Sequence, residues 1–126
     1  MKRLIAAIVL IITLAALCTV SIIFVGNSYD DFSNDIEKCK IEIENKNYDA
    51  AKKLSFDTAK SWRKKRGALS VFINHGTVEQ IDESITQLAS FANKENEAHF
   101  LAECEIIKLN LLEMKEYCSV SLHTLF

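Results

Sequence analysis

Residues Leu4 to Gly26 form an apolar run without a single charged side chain, and the rest of the chain alternates apolar and polar positions at helical spacing. A basic pair at residues 2–3 precedes the run, and an acidic pair at residues 30–31 follows it. At ~1.5 Å per residue, about 23 helical residues span ~34 Å, which is enough to cross a hydrocarbon core of ~30 Å. The pattern predicts a membrane-spanning helix.

This segment fits an uncleaved signal anchor better than a cleaved signal peptide. Signal peptides carry an apolar core of ~7–15 residues that ends in small residues, whereas this run is longer and places Phe24 three residues before a cut after Gly26. A cut after Ser28 remains the weaker alternative. Leu17 stands where a lipid-modified cysteine at Cys18 would need a small residue, so a lipoprotein is disfavoured.

The basic pair predicts the orientation, because positive flanks stay in the cytoplasm. Residues 1–26 then form a cytoplasmic stub and a transmembrane anchor, and residues 27–126 form an extracytoplasmic domain at the plasma membrane. The lipid bilayer is therefore the first predicted partner.

Beyond the anchor, apolar residues recur at steps of three and four, which is typical of amphipathic helices. The chain has no proline and only three glycines, which disfavours a turn-rich β fold. We predict an all-α fold in which the transmembrane helix is followed by an antiparallel bundle of about four helices. Their predicted bounds are Asp30–Glu44, Tyr48–Ile73, Val78–Ala92 and Glu95–Tyr117.

Three details extend this prediction. The first helix of the bundle continues from the membrane helix, and residues 119–126 lie extended over the bundle because their apolar positions alternate. In the second helix, Gly67 marks a kink or a close helix contact, or alternatively a hinge. The fourth helix buries one stripe, which consists of Ala98, Leu101, Cys104, Ile107, Leu111, Met114 and Cys118.

Polar clusters mark the breaks between helices. Residues 45–47 (Asn-Lys-Asn) and 93–96 (Asn-Lys-Glu-Asn) are predicted turns. Residues 74–76 (Asn-His-Gly) are predicted to end the second helix with Gly76 at positive φ. Thr77 and Gln80 form a Thr-x-x-Gln pattern, which predicts a capping box at the start of the third helix.

Charge is segregated along the chain, although the formal net charge is only −2. Between residues 46 and 66, eight basic side chains stand against Asp49 and Asp57, whereas residues 79–116 carry nine acidic side chains against three lysines. The simplest expectation is a basic helix that lies beside acidic ones. Nucleic-acid binding is not expected of an exported acidic domain.

The sharpest cluster of charge is the run Arg63, Lys64, Lys65 and Arg66. Four successive helical residues point in different directions, which is typical of a solvated surface. However, the second helix descends towards the bilayer and brings this run near the headgroups. The alternative is therefore a contact with anionic lipid or another polyanion.

Cysteine and histidine offer little chemistry. Cys39, Cys104 and Cys118 fall on apolar stripes and are predicted core residues, with a disulfide between Cys39 and either of the other two as an alternative. The pairs His75–Glu79 and His99–Glu103 have ligand-like spacing but lack a third ligand, so no metal is predicted. No catalytic motif or phosphate-binding loop is present, so we expect neither an enzyme nor a cofactor.

The chain resembles a family of small single-pass helical membrane proteins of Gram-positive, often spore-forming, bacteria that is classified as a domain of unknown function. The resemblance rests on the N-terminal basic pair before a long anchor, residues 47–51 (Asn-Tyr-Asp-Ala-Ala), Trp62, residues 72–75 (Phe-Ile-Asn-His) and residues 121–122 (Ser-Leu). Thr124 departs from the asparagine expected there. The resemblance implies a membrane location and a helical outer domain, and it supplies no activity.

The predicted function is that of a membrane-anchored, extracytoplasmic helical interaction or scaffold protein without catalysis. Its partner is expected to be another envelope or membrane protein, and a homo-oligomer is possible. The alternative is a helical bundle that senses a small molecule and signals through a membrane partner. The apolar residues to test as partner contacts are Trp62, Phe72, Ile73, Leu125 and Phe126, although each of them fits a core position better than an interface.

Overall fold

A single unbroken helix connects the apolar N-terminus to the bundle. The computed structural model describes residues 1–125, and the side chains of residues 1–119. Two short 3₁₀ turns, Ala89–Phe91 and Lys94–Asn96, join the last two helices. The predicted all-α fold is confirmed, with helices α1 Lys2–Glu44, α2 Tyr48–Phe72, α3 His75–Leu88 and α4 Glu97–Leu125.

The helices pack in a ring, in which each neighbouring pair along the chain is in contact and α4 closes onto α1. The turn at residues 45–47 reverses the chain as predicted, with Lys46 in the left-handed region at φ 65°. Short connections make sequential helices antiparallel, so α2 and α4 both run back along α1. In this ring, α2 and α4 are diagonal to each other, and the acidic α4 does not lie beside the basic α2.

The core lies between the four helices, and Trp62 of α2 is at its centre. The Trp62 side chain is fully buried and meets the Phe32 ring of α1 edge to face, with 5.3 Å between the ring centroids. In α4, Phe100 is buried where the sequence suggested Ala98, which is exposed. The other large, fully buried side chains are Ile36, Ile43, Leu69, Ile81, Ile85, Leu88, Ile107, Leu111 and Met114.

The first part of α1 projects from the bundle. From Met1 to Val20 every side chain is exposed except that of Cys18, which is partly covered, and Ser21 is the first buried residue. Packing against the bundle therefore begins before the end of the apolar run at Gly26. The described chain has one helix, α1, that is long and apolar enough for a membrane span, a property that membrane anchors and signal sequences share.

The start of α3 differs from the prediction. The helix begins at His75, and the Asn74 side chain caps it by accepting a hydrogen bond of 2.8 Å from the Gly76 backbone N–H. Gly76 does not adopt a positive φ, and Thr77 is already inside the helix. Asparagine is as good an N-cap as threonine. Because Asn74 lies closer than Thr77 to the end of α2, a cap at Asn74 shortens the connection between α2 and α3.

The C-terminal segment also differs from the prediction. Residues 119–125 continue α4 as a helix rather than lying extended. The alternation of a few apolar residues is too short to specify a strand, and neither proline nor glycine interrupts residues 97–125 to end the helix.

Gly67 does not serve a close helix contact. It is exposed in the interior of α2, and a Cβ atom built at this position meets no atom within 4 Å. We expect Gly67→Ala to raise the free energy of unfolding by about 0.5–1 kcal/mol, because alanine loses less backbone entropy in a helix. Thermal unfolding of the full chain in detergent micelles, followed by circular dichroism, measures this change. A lower stability would show that the glycine serves a bend.

Candidate interaction surfaces

The outer side of α4 is an apolar face without a partner in the described structure. Ile106 is 44% exposed, Leu109 61%, Leu112 38% and Tyr117 44%. They lie opposite the buried side of the helix, which includes Cys104, Ile107 and Leu111. A helix that is apolar on both sides is expected to be covered on both sides. Below, the α4 outer face means Ile106, Leu109, Leu112 and Tyr117.

The outer side of α2 is basic and surrounds one exposed aromatic ring. Phe56 is 56% exposed, and the basic side chains around it form no salt bridge with any residue that the structure describes. The members of this α2 basic row are Lys52, Lys53, Lys60, Arg63 and Lys64.

The predicted polyanion cluster is divided between two roles. Lys65 Nζ lies 3.5 Å from Asp31 Oδ2 and over the Phe32 ring, 5.6 Å from its centroid. Arg66 Nη1 lies 2.8 Å from Asp82 Oδ1 of α3. Arg63 and Lys64 form no salt bridge with a described residue, and a contact between the cluster and lipid or another polyanion stays a prediction.

Two of the five candidate partner contacts lie in the core. Trp62 is fully buried and Ile73 is 5% exposed, so these two side chains pack inside the chain, in agreement with the core alternative. Phe72 is half-buried, with its ring centroid 6.0 Å from that of Phe24. The side chains of Leu125 and Phe126 lie outside the described residues, and their role as contacts stays a prediction.

Salt bridges join α4 to α1 and to the turn that follows α1. Lys40 Nζ lies 3.2 Å from Glu105 Oε1, and Lys108 pairs with Glu37. At the top of the bundle, Lys46 Nζ lies 2.6 Å from Glu97 Oε1.

These pairs lower the carboxyl pKa values. The hydrogen bond from Lys46 holds the pKa of Glu97 below its ordinary value. The bond from Lys108 lowers the pKa of Glu37 in the same way. Both carboxylates therefore stay charged at neutral pH, and the two salt bridges hold α4 against α1 and the turn after it.

Among the described residues, no group of three or more histidine, cysteine or acidic side chains has the arrangement of a metal site. His75 Nε2 lies 2.8 Å from Glu79 Oε1 on the exposed surface of α3. The His99 ring stacks on Phe91, with 3.9 Å between the ring centroids. These contacts account for the ligand-like spacings as local surface interactions.

Cys39 and Cys104 are free thiols that are fully buried between α1 and α4. Burial raises the pKa of Cys104 to about 12 and also raises that of Cys39, so both thiols remain protonated at neutral pH.

Since the thiolate is the reactive form, we expect iodoacetamide to leave Cys39 and Cys104 unmodified in the folded chain and to label both in denaturant. Mass spectrometry of the labelled peptides measures this difference. Equal labelling rates in the two conditions would contradict burial.

A polar groove lies between α1 and α2, near the basic cluster. Its volume is about 320 Å³, and it is open to solvent. Charged side chains of both signs line it, among them Asp31, Asp35, Lys38 and Lys65. This open groove lacks the apolar enclosure that small-molecule sites usually have.

Sequence reasoning missed the α4 outer face, although a signal was present. The assigned stripe explained one side of the helix and left Ile106, Leu109 and Leu112 without a role. Three large apolar residues on the polar side of a predicted helix indicate a second contact surface.

A family model described as a domain of unknown function (DUF4363) matches residues 19–125. No curated protein and no solved structure matches the chain. The match to an uncharacterised family agrees with the resemblance noted in the sequence. It begins just before Ser21, where packing of α1 against the bundle begins.

Proposed function

We propose that this chain, which belongs to the DUF4363 family of unknown function, is a non-catalytic interaction protein that is anchored in a membrane by α1. It binds another protein of the same membrane through the α4 outer face. The observation that carries this proposal is the exposure of Ile106, Leu109, Leu112 and Tyr117 on the side of α4 that faces away from the core.

The projecting part of α1 supports the anchor. Its side chains from Leu4 to Val20 are uncharged, mostly apolar and nearly all exposed, which is unfavourable in water and favourable in lipid. The basic pair at residues 2–3 favours a cytoplasmic N-terminus, which places the bundle on the outer side of the plasma membrane.

An interaction role is better supported than the alternative of small-molecule sensing. The α1–α2 groove is open and lined by charges of both signs, whereas the α4 outer face is apolar and exposed. Exposed apolar patches are typical of protein-binding surfaces, whereas small-molecule sites are enclosed clefts.

A photo-crosslinking residue, p-benzoylphenylalanine, introduced at Leu109 in expressing cells tests this proposal. We expect a crosslinked product that remains in membranes after alkaline carbonate washing, and no product from the same residue placed at the exposed Gln87 of α3. Degradation of the bundle by protease in intact protoplasts would support the proposed topology. The absence of a product at Leu109, or equal products at both positions, would overturn the docking surface.

A further inference from the structure

The outer faces of α2 and α4 complement each other, but one chain cannot bring them together. The α2 basic row surrounds Phe56. Beside the α4 outer face lie Glu113 and Glu116, two exposed acidic side chains without a salt bridge to a described residue. Because α2 and α4 are diagonal in the ring, these faces point in opposite directions. Two chains standing side by side can join them.

The outer faces of α2 and α4 stand beside the same stretch of α1, so they lie at the same level along the axis of the bundle. For α2, Ser55 Oγ lies 3.8 Å from Cys39 Sγ, and Lys65 Nζ lies 3.5 Å from Asp31 Oδ2. Phe56, Lys60, Arg63 and Lys64 fall between these two contacts in sequence, so they stand beside the part of α1 between residues 31 and 39.

The α4 outer face stands beside nearly the same part of α1. Glu105 contacts Lys40, and Lys115 Nζ lies over the Tyr29 ring, 4.8 Å from its centroid. Ile106, Leu109, Leu112 and Glu113 fall between these contacts, and Glu116 follows the lower one. The stretch of α1 that both faces share, residues 31–39, is about 12 Å long.

Within this stretch, the two faces have the same vertical order. Both helices run towards the apolar segment of α1. Along α2, Phe56 comes before the pair Arg63–Lys64, and along α4, the apolar pair Ile106–Leu109 comes before the acidic pair Glu113–Glu116. In two parallel copies at equal height, Phe56 therefore stands opposite apolar side chains, and the basic pair stands opposite the acidic pair.

We propose that the partner of the α4 outer face is a second copy of this chain, which contributes the outer face of its α2. This inference rests on the proposed function, because a shared membrane is what holds the copies parallel and level. The contact joins two different faces on opposite sides of the bundle. Such a heterologous contact repeats from copy to copy and builds a row or a ring in the membrane plane.

A symmetric pair with α4 against α4 is disfavoured by charge. A twofold axis along the membrane normal places the same residues of both copies at the same height. Glu113 and Glu116 would then face their own counterparts, and like charges at an interface are repulsive. The α2–α4 contact replaces this repulsion with attraction.

Purified full-length chain in phosphatidylcholine liposomes provides the test. With p-benzoylphenylalanine at position 109, we expect a crosslinked product of twice the mass whose crosslink maps to α2 near Phe56. We expect about a fivefold loss of this product in the variant Arg63→Glu/Lys64→Glu, and also in the variant Glu113→Lys/Glu116→Lys. A mixture of the two variants restores the product, because each then meets a face of opposite charge.

Several controls separate the outcomes. Neither charge pair forms a salt bridge within the described chain, so circular dichroism should report an unchanged fold in both variants. Phosphatidylcholine has no net charge, so lost binding to anionic lipid does not explain a lost product. A crosslink that maps to α4, a product insensitive to both reversals, or no product of doubled mass overturns the proposal. If Leu109 crosslinks a different protein in cells while the liposomes give no product, the proposed function holds and this inference fails.

Discussion

Trp62→Ala is expected to lower the free energy of unfolding by about 3–5 kcal/mol, which is most of the stability of a domain this small. Trp62 is the only tryptophan, is fully buried and packs edge to face on Phe32. Its removal leaves a cavity between α1 and α2 that the backbone of long helices cannot close. Urea unfolding in detergent micelles, followed by circular dichroism at 222 nm, measures the loss.

Trp62→Phe is the matched control. The Nε1–H group of Trp62 is buried and donates to no atom that the structure describes. Phenylalanine keeps most of the apolar volume and removes this unpaired donor, so we expect a cost below about 1.5 kcal/mol. The packing of Trp62 is contradicted if both variants lose the same free energy of unfolding, or if Trp62→Ala lowers it by less than about 1 kcal/mol.

The double variant Leu14→Arg/Leu17→Arg is expected to release the chain from the membrane. The side chains of Leu14 and Leu17 are 46% and 57% exposed, so the substitutions do not disturb the bundle. An arginine near the centre of a membrane helix costs about 2.5–3.5 kcal/mol, so the pair costs about 5–7 kcal/mol. Alkaline carbonate extraction of isolated membranes, with detection of the full chain, measures the release.

The control for this prediction is Leu14→Ala/Leu17→Ala, which keeps the segment apolar and should leave the chain membrane-bound. The mass of the wild-type protein from the same membranes is also informative. A chain that lacks its first two dozen residues, or a wild-type chain that carbonate extracts as readily as the arginine variant, would contradict the anchor.

The apolar pattern was sufficient to predict the four helices, because amphipathic stripes without proline have few alternatives. The turn at Lys46 and the start of α2 at Tyr48 agree with the prediction. Helix ends were less predictable where two capping residues compete, as Asn74 and Thr77 do at the start of α3.

The candidate surface was harder to predict, because it depends on which helices are neighbours. Trp62 and Ile73 were apolar candidates for a contact, but the ring of helices places both inside the core. Nothing in the sequence alone indicates that α2 and α4 are diagonal. Because of this placement, the acidic side chains of α4 do not reach the α2 basic row of the same chain. The sequence shows that Ile106, Leu109 and Leu112 lie outside the assigned stripe. Their exposure is established only by the positions of α1 and α3, which cover the other sides of α4.

The continuity of α1 has a mechanical consequence. One helix of 43 residues, about 64 Å long, contains both the apolar segment and the part of α1 that packs in the bundle. No loop separates these two parts, so a lateral force on the bundle is expected to tilt or rotate the apolar segment with it. In the proposed topology, a contact made by the bundle would thus change the inclination of the helix across the bilayer.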